Sequence, residues 1–221
     1  LMLRGDRAVG DDEIPIEFIR ACEEAESDFF EDVWEIWRLE YAPKNLAVGL
    51  FCMIWKGPAK GTSDDHANYR PIDLQNHRWK VIGVLLLLRL IEETELFLPE
   101  TADGFRARRG GRDALLRVRL FIERCLGFGR RAWLFLQDYR AAFDSARHSS
   151  LEKALSRAGA TRKSIAMFRL ISKMACGVVK VRRADGSTAK SSPPFSIDRG
   201  VIQGGMDSPW NFLVGMACLL L

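Results

Sequence analysis

Apolar residues are spaced with two different periods along this chain, and this limits the possible folds more than any other feature. Helical spacing occurs in the four segments 16–37, 79–97, 112–126 and 164–175. Two continuous apolar runs, 46–55 and 133–136, end at turn residues, which is typical of buried strands. The pattern predicts an α/β fold, with a sheet packed on helices.

The C-terminal third adds three local predictions. Residues 178–182 and the residues from Thr188 onward flank Asp185-Gly186, which predicts a β-hairpin. Ser149 and Glu152 have the spacing of a capping box at a helix start. Ser208-Pro209 opens a last apolar helix.

The composition of the chain excludes several classes of protein. A formal net charge of +4 and a pI near 8.9 are compatible with a phosphate ligand but too mild to establish one. The five cysteines are odd in number and widely spaced, which predicts reduced core thiols and an intracellular protein. The apolar run 81–90 is about half the ~20 residues that a bilayer span needs, so we expect no membrane-spanning segment.

Asp138 is the strongest single candidate for chemistry, because it follows the predicted strand 133–136. A carboxylate at the end of a strand has a rigid backbone and can hold Mg²⁺ beside a triphosphate. Taken alone, an acidic residue at this position is more often a turn former.

The surrounding motif favours the chemical interpretation. Residues 134–145 read LFLQDYRAAFDS, which resembles motif A of the reverse transcriptases of non-LTR (LINE-type) retrotransposons. Residues 68–72, NYRPI, resemble a fingers motif of that family, although Asp73 stands where the family has Ser. Residues 104–110, GFRARRG, resemble the next fingers motif.

The resemblance extends to both ends of the chain. Residues 199–204, RGVIQG, with Ser208-Pro209 resemble motif B, in which Gly205 replaces the usual Asp. The opening GDDEIP at 10–15 is similar to the family's Gly-Pro-Asp-Gly-Ile-Pro. Nothing after Gly204 matches motif C, aromatic-x-Asp-Asp. We therefore expect a chain that stops before motif C and does not polymerise by itself.

The resemblance implies a right-hand polymerase fold, with fingers at 1–130 and a partial palm at 131–221 whose antiparallel sheet packs on helices. It implies RNA-directed DNA synthesis that uses two Mg²⁺ ions, with Mn²⁺ as a possible substitute. Asp138 would be the catalytic carboxylate and would bind metal together with the backbone carbonyl of Tyr139. The resemblance also implies that the protein is found in the nucleus and cytoplasm.

The resemblance also implies contacts to an incoming deoxynucleoside triphosphate. Arg70 and, with less support, Lys56 would contact its phosphates, because Arg offers a planar fork and Lys a point charge. Phe143 would clash with a 2′-hydroxyl and so select deoxynucleotides; otherwise it is a core residue. Gln203 and Gly204 would lie under the nascent base pair.

The RNA template and DNA primer would be the macromolecular partners. Four arginines lie within seven residues and are interrupted by glycines, which suits a segment that follows a template backbone: Arg106, Arg108, Arg109 and Arg112. Without such a motif, a run of basic residues is usually only a solvent-exposed part of the protein surface.

Two other functions remain open from the sequence. The first is a non-catalytic nucleic-acid-binding remnant or domesticated element, which would keep the arginines without the chemistry. The second is an RNA-dependent RNA polymerase, which Phe143 disfavours. Gly10-Asp11-Asp12 spells the Gly-Asp-Asp of such polymerases, but it precedes the fingers motifs and runs into Pro15.

Overall fold

The computed structural model describes residues 5, 8–139, 141–182 and 188–220, and these form a mixed sheet packed with helices. The helices are α1 (Ile16–Ala21), α2 (Glu23–Leu39), α3 (His77–Thr94), α4 (Gly111–Gly127), α5 (Ala142–Ser145), α6 (His148–Arg157), α7 (Arg162–Met174) and α8 (Ser208–Leu220). The strands are β1 (Val48–Trp55), β2 (Tyr69–Leu74), β3 (Cys176–Arg182), β4 (Thr188–Ser191) and β5 (Phe195–Ser196).

The sheet has the order β2-β1-β3-β4, and β5 pairs with β3. β1 runs antiparallel to β2 but parallel to β3, with Val48 opposite Cys176. The sheet is therefore mixed. Within residues 131–221 the β3–β4 and β3–β5 pairs are antiparallel, as predicted for that part, but β3 also pairs in parallel with β1 of the segment 1–130. Parallel neighbours need a long crossover connection, which the helices between β2 and β3 supply. The predicted β3–β4 hairpin is confirmed, while its turn, Asp185-Gly186, lies outside the described residues.

The strand predicted at 133–136 is also wrong, since residues 131–139 are irregular and exposed. Trp133 is 88% exposed and Phe135 is 86% exposed. A strand forms only where a neighbour satisfies its backbone N–H and C=O groups, and no described strand pairs with this segment. Its apolar composition alone could not reveal the lack of a neighbour.

The core joins residues from both sides of the predicted boundary at residue 130. Phe29 of α2, Leu86 of α3, Leu155 of α6 and Val214 of α8 are each 0% exposed and belong to one cluster. The apolar helix after Trp79, α3, does not cross the interior as expected. Trp79, Ile82 and Leu86 are buried, but Leu85 is 36% and Leu88 48% exposed, so one face of the helix lies at the surface. The division into fingers and palm stays a prediction.

α4 forms where the sequence predicts it, but its apolar face is not buried. No described residue of α4 is buried, and Leu115 and Leu126 are each 71% exposed. The bidentate pair between Arg117 and Asp103, with N–O distances of 2.7 and 2.6 Å, attaches the helix to the preceding loop. Periodicity predicts a helix correctly but not what covers its apolar face.

Several smaller predictions can be compared with the structure. The capping box at Ser149 is wrong, because α6 begins after Arg147 without a side-chain cap. Glu152 instead forms an ion pair with Arg169.

All five cysteines are free, as expected, but none is buried in the core. Within the described part of the chain, no helix is both long enough and apolar enough to cross a membrane.

The buried hydrogen bond from Trp210 Nε1 to Thr94 Oγ1, 3.0 Å long, joins α8 to the end of α3. Trp210→Phe removes this bond and keeps most of the apolar volume, so we expect the free energy of unfolding to fall by about 1–2 kcal/mol. Chemical denaturation followed by circular dichroism measures the change. Trp133→Phe is the matched control at an exposed position and should change stability by less than about 0.5 kcal/mol. Equal losses in both variants would contradict the assigned packing.

Candidate functional site

A cavity of about 280 Å³ lies between the β1–β2 hairpin and residues 197–203. Its walls are mainly apolar and include Phe51, Met53, Pro71 and Phe195. Polar side chains lie on the lining as well, from Asp144, Arg199 and Gln203. An apolar cavity with a few polar groups is the usual form of a small-molecule site.

Backbone hydrogen bonds fix the segment 200–204 in this cavity. The N–H of Gly200 donates to Ala146 O at 2.7 Å, and the N–H of Val201 donates to Phe143 O at 2.8 Å. The N–H of Asp73 in β2 donates to Gln203 O at 2.8 Å. Segments that resemble motif A, motif B and a fingers motif therefore meet through main-chain contacts.

Gly204 is required by its close approach to β2. Its φ is +122°, and a Cβ at this position would collide with the backbone carbonyl of Asp73. Any other residue would have to move the segment away from the strand. Beside it, Gln203 Nε2 donates a long hydrogen bond of 3.4 Å to Asp144 Oδ1. The structure thus brings Gln203, Gly204 and Asp144 to one place.

Phe143 lies next to this segment but packs on the core. Its ring stacks on Phe212 of α8, with centroids 4.6 Å apart, and meets the edge of Phe105 at 6.0 Å. This packing agrees with the alternative interpretation of Phe143 as a core residue. Its role in selecting deoxynucleotides stays a prediction.

The segment 131–139 does not bring Asp138 into the cavity, whose described lining excludes this residue. Tyr139 lines a separate groove of about 350 Å³ between α6 and α8. Among the described residues, no group of three or more His, Cys, Asp or Glu side chains could hold a metal ion. The roles of the Asp138 carboxylate and the Tyr139 carbonyl stay predictions.

Arg70 and Lys56 lie on the β1–β2 hairpin. Arg70 is exposed in β2, opposite Ile54 and adjacent to Pro71 of the cavity lining. Lys56 Nζ donates to Ala67 O at 2.8 Å, which ties together the two ends of the loop between the strands. Of the two, Arg70 lies closer in sequence to the cavity lining.

The four predicted template arginines fall into two groups. Arg106 is buried, and its guanidinium bonds Glu95 Oε1 at 2.6 Å and the carbonyl oxygens of Pro99 and Ala102. Arg109 bonds the Glu100 side chain at 2.8 Å, and this hydrogen bond is the main reason that the pKa of Glu100 is lowered.

Arg108 and Arg112 form the other group, and both are exposed. Their guanidinium groups therefore face solvent, whereas that of Arg106 is enclosed by protein. Contact with a template stays a prediction for all four arginines. The exposed pair is better placed for such a contact.

Sequence reasoning missed three buried titratable groups. Burial raises the pKa of Asp73 to about 7 and that of Asp207 to about 6, although Asn211 Nδ2 donates to Asp207 Oδ2 at 2.6 Å. Burial, as the largest cause, lowers the pKa of His77, whose ring nitrogens have no hydrogen-bond partner. For Asp73 the sequence offers a signal, because this acidic residue lies inside a segment with the pattern of a strand.

Comparison with protein-family models and with curated protein sequences gave no match.

Arg106→Ala removes a guanidinium whose side chain is 4% exposed and whose partner Glu95 is 40% exposed. Since Glu95 can regain water, we expect a loss of about 2–3 kcal/mol in the free energy of unfolding, below the cost for a fully buried pair. Arg108→Ala, the matched control at an exposed position, should change it by less than about 0.5 kcal/mol. Urea denaturation compares the two, and a stable Arg106→Ala protein would contradict a structural role.

Proposed function

We propose that this chain is part of the RNA-directed DNA polymerase of a mobile element of the non-LTR retrotransposon type. One observation carries the proposal. The motif B segment 199–204 bonds through its backbone to Phe143 of the motif A segment 134–145 and to Asp73, which directly follows the fingers motif 68–72, beside one cavity. This convergence of the three segments supports the proposal.

The proposed roles follow from the demands of nucleotidyl transfer. A primer 3′-hydroxyl attacks an α-phosphate in line, and the protein must position both groups and balance the developing charge. Arg70 would contact the triphosphate, with Lys56 as a second cation. Gln203 and Gly204 would support the nascent base pair, because a glycine lets the backbone approach a base closely.

The residues described here do not fit a two-metal centre. Two Mg²⁺ ions need several oxygen ligands, yet Asp138 is the only carboxylate to which the motif resemblance assigns metal binding. Asp207 cannot serve, because it is buried, bonded to Asn211 and has a raised pKa. Metal-dependent catalysis is therefore proposed only for a protein that contains these residues together with an aromatic-x-Asp-Asp hairpin.

In such a longer protein, Asp138→Asn should reduce primer extension on an RNA template by roughly a hundredfold or more, as expected for the loss of a group that stabilises the transition state. Asp64→Asn removes the same charge from an exposed position in the loop between β1 and β2 and should leave extension unchanged. Equal extension by the wild-type protein and Asp138→Asn would remove Asp138 from the mechanism.

The 221-residue chain itself can be tested for binding of an RNA–DNA primer-template. Substituting both Arg108 and Arg112 with Ala should weaken binding and reduce the slope of log K against log salt by about one per lost phosphate contact. Fluorescence anisotropy at several salt concentrations measures both effects. Substituting both Arg38 and Arg169 with Ala, two exposed arginines on α2 and α7, removes the same charge and is the control for net charge. An equal loss in that control would indicate non-specific attraction.

A second candidate is a nucleic-acid-binding module without catalysis. It is favoured by the exposed, irregular segment around Asp138 and by the lack of a metal-binding group among the described residues. Salt-dependent binding without extension, even in the longer protein, would support it. Incorporation of ribonucleotides would instead indicate an RNA-dependent RNA polymerase, which the ring of Phe143 disfavours.

A further inference from the structure

Asp73 is a buried carboxylate with an incomplete set of partners. Its residue is 4% exposed, and Oδ1 has no hydrogen-bond partner. The carboxylate lies over Gly49 of β1, where a Cβ would collide with it. A buried carboxylate is costly when ionised, unless hydrogen bonds and a counter-ion compensate for the lost water.

The backbone of the same residue supports the segment 203–204. Its N–H donates to Gln203 O at 2.8 Å, and its carbonyl lies directly under Gly204. Asp73 therefore contacts β1 through its side chain and the segment 203–204 through its backbone. A change at the carboxylate that moved this part of β2 would move both contacts.

The charged groups around Asp73 are few. Lys80 of α3 is the cation that attracts it, and Lys80 in turn faces Asp12 of the segment before α1. His77, also on α3, has a pKa lowered mainly by burial. Residues 203–205 are Gln-Gly-Gly and bring no charge from the side of the loop.

We propose that Asp73 is a positioning residue for the Gln203–Gly204 segment, which is held against β2 while the carboxyl is protonated and is loosened when it ionises. The unpartnered Oδ1 would then need water or the Lys80 ammonium. Asp73 occupies the space that a Cβ on Gly49 or on Gly204 would otherwise fill. The importance of this segment for nucleotide binding rests on the proposed function. The coupling between the ionisation of Asp73 and the position of the segment 203–204 does not depend on the proposed function.

The pH range follows from the direction of the shift. Burial raises the pKa of Asp73 from 3.8 to about 7, against a side-chain hydrogen bond with Gln75 and the attraction of Lys80. The folded chain therefore holds this proton more tightly than the unfolded chain. The contribution of Asp73 to stability is full below pH 4, falls as the pH rises to about 7 and is constant above that.

Nuclear magnetic resonance of the ligand-free chain tests the proposal. The backbone amides of Gln203 and Gly204 should shift between pH 5 and 9 with a midpoint near 7, the value to which the pKa of Asp73 is raised. Asp73→Asn should abolish this step and leave both amides near their low-pH positions. Asp207→Asn is the matched control, because Asp207 is likewise buried with a raised pKa, and the step near pH 7 should remain in this variant.

A step near pH 7 that persists in Asp73→Asn, or loop amides that do not shift in the wild-type chain, would overturn the proposal. If Asp73→Asn does not fold, the ¹³C resonance of the Asp73 carboxyl in the wild-type chain gives the midpoint directly. A midpoint near 4 would also overturn the proposal. Since no nucleotide is present, failure of the polymerase proposal would leave these results unchanged.

Discussion

The backbone hydrogen bonds of residues 200–204 are the interaction on which the candidate site depends. They join the α5 turn on one side to β2 on the other, through the acceptors Phe143, Ala146 and Gln203. Main-chain bonds do not require particular side chains, so the meeting of these segments is compatible with Gly205, where the motif that the segment resembles has Asp. They do require glycine where two backbones touch, and Gly204 meets that requirement.

Local structure could be predicted from the sequence, but its burial and pairing could not. Helical spacing predicted α3 and α7, and an apolar run predicted β1, because each pattern lies within one element. The parallel pairing of β1 with β3 and the exposure of α4 depend on distant residues. The apolar run 133–136 has the composition of a strand, and only its missing neighbour distinguishes it from one.

The candidate site could be predicted in part for the same reason. Motif resemblance predicted roles for Gln203, Gly204 and Arg70. Gln203 lines the cavity together with Asp144, and Gly204 follows it against β2. It did not show that Arg106 is enclosed by Glu95 and two carbonyls, because ion pairs are invisible to pattern and spacing. It also did not show that Asp73, a departure from the family motif, is buried under the same segment.

Whether Asp138 can bind a metal ion depends on whether the segment around it forms a strand. A carboxylate can hold a metal ion in a fixed position only when its own backbone is fixed, and residues 131–139 form no regular structure. The same residues expose Trp133 and Phe135, and within the described part of the chain no strand pairs with them and no apolar surface covers them. A neighbouring strand would supply both and would place Asp138 at the end of a sheet strand. The polymerase proposal therefore requires a strand beside 133–136 as strictly as it requires further carboxylates.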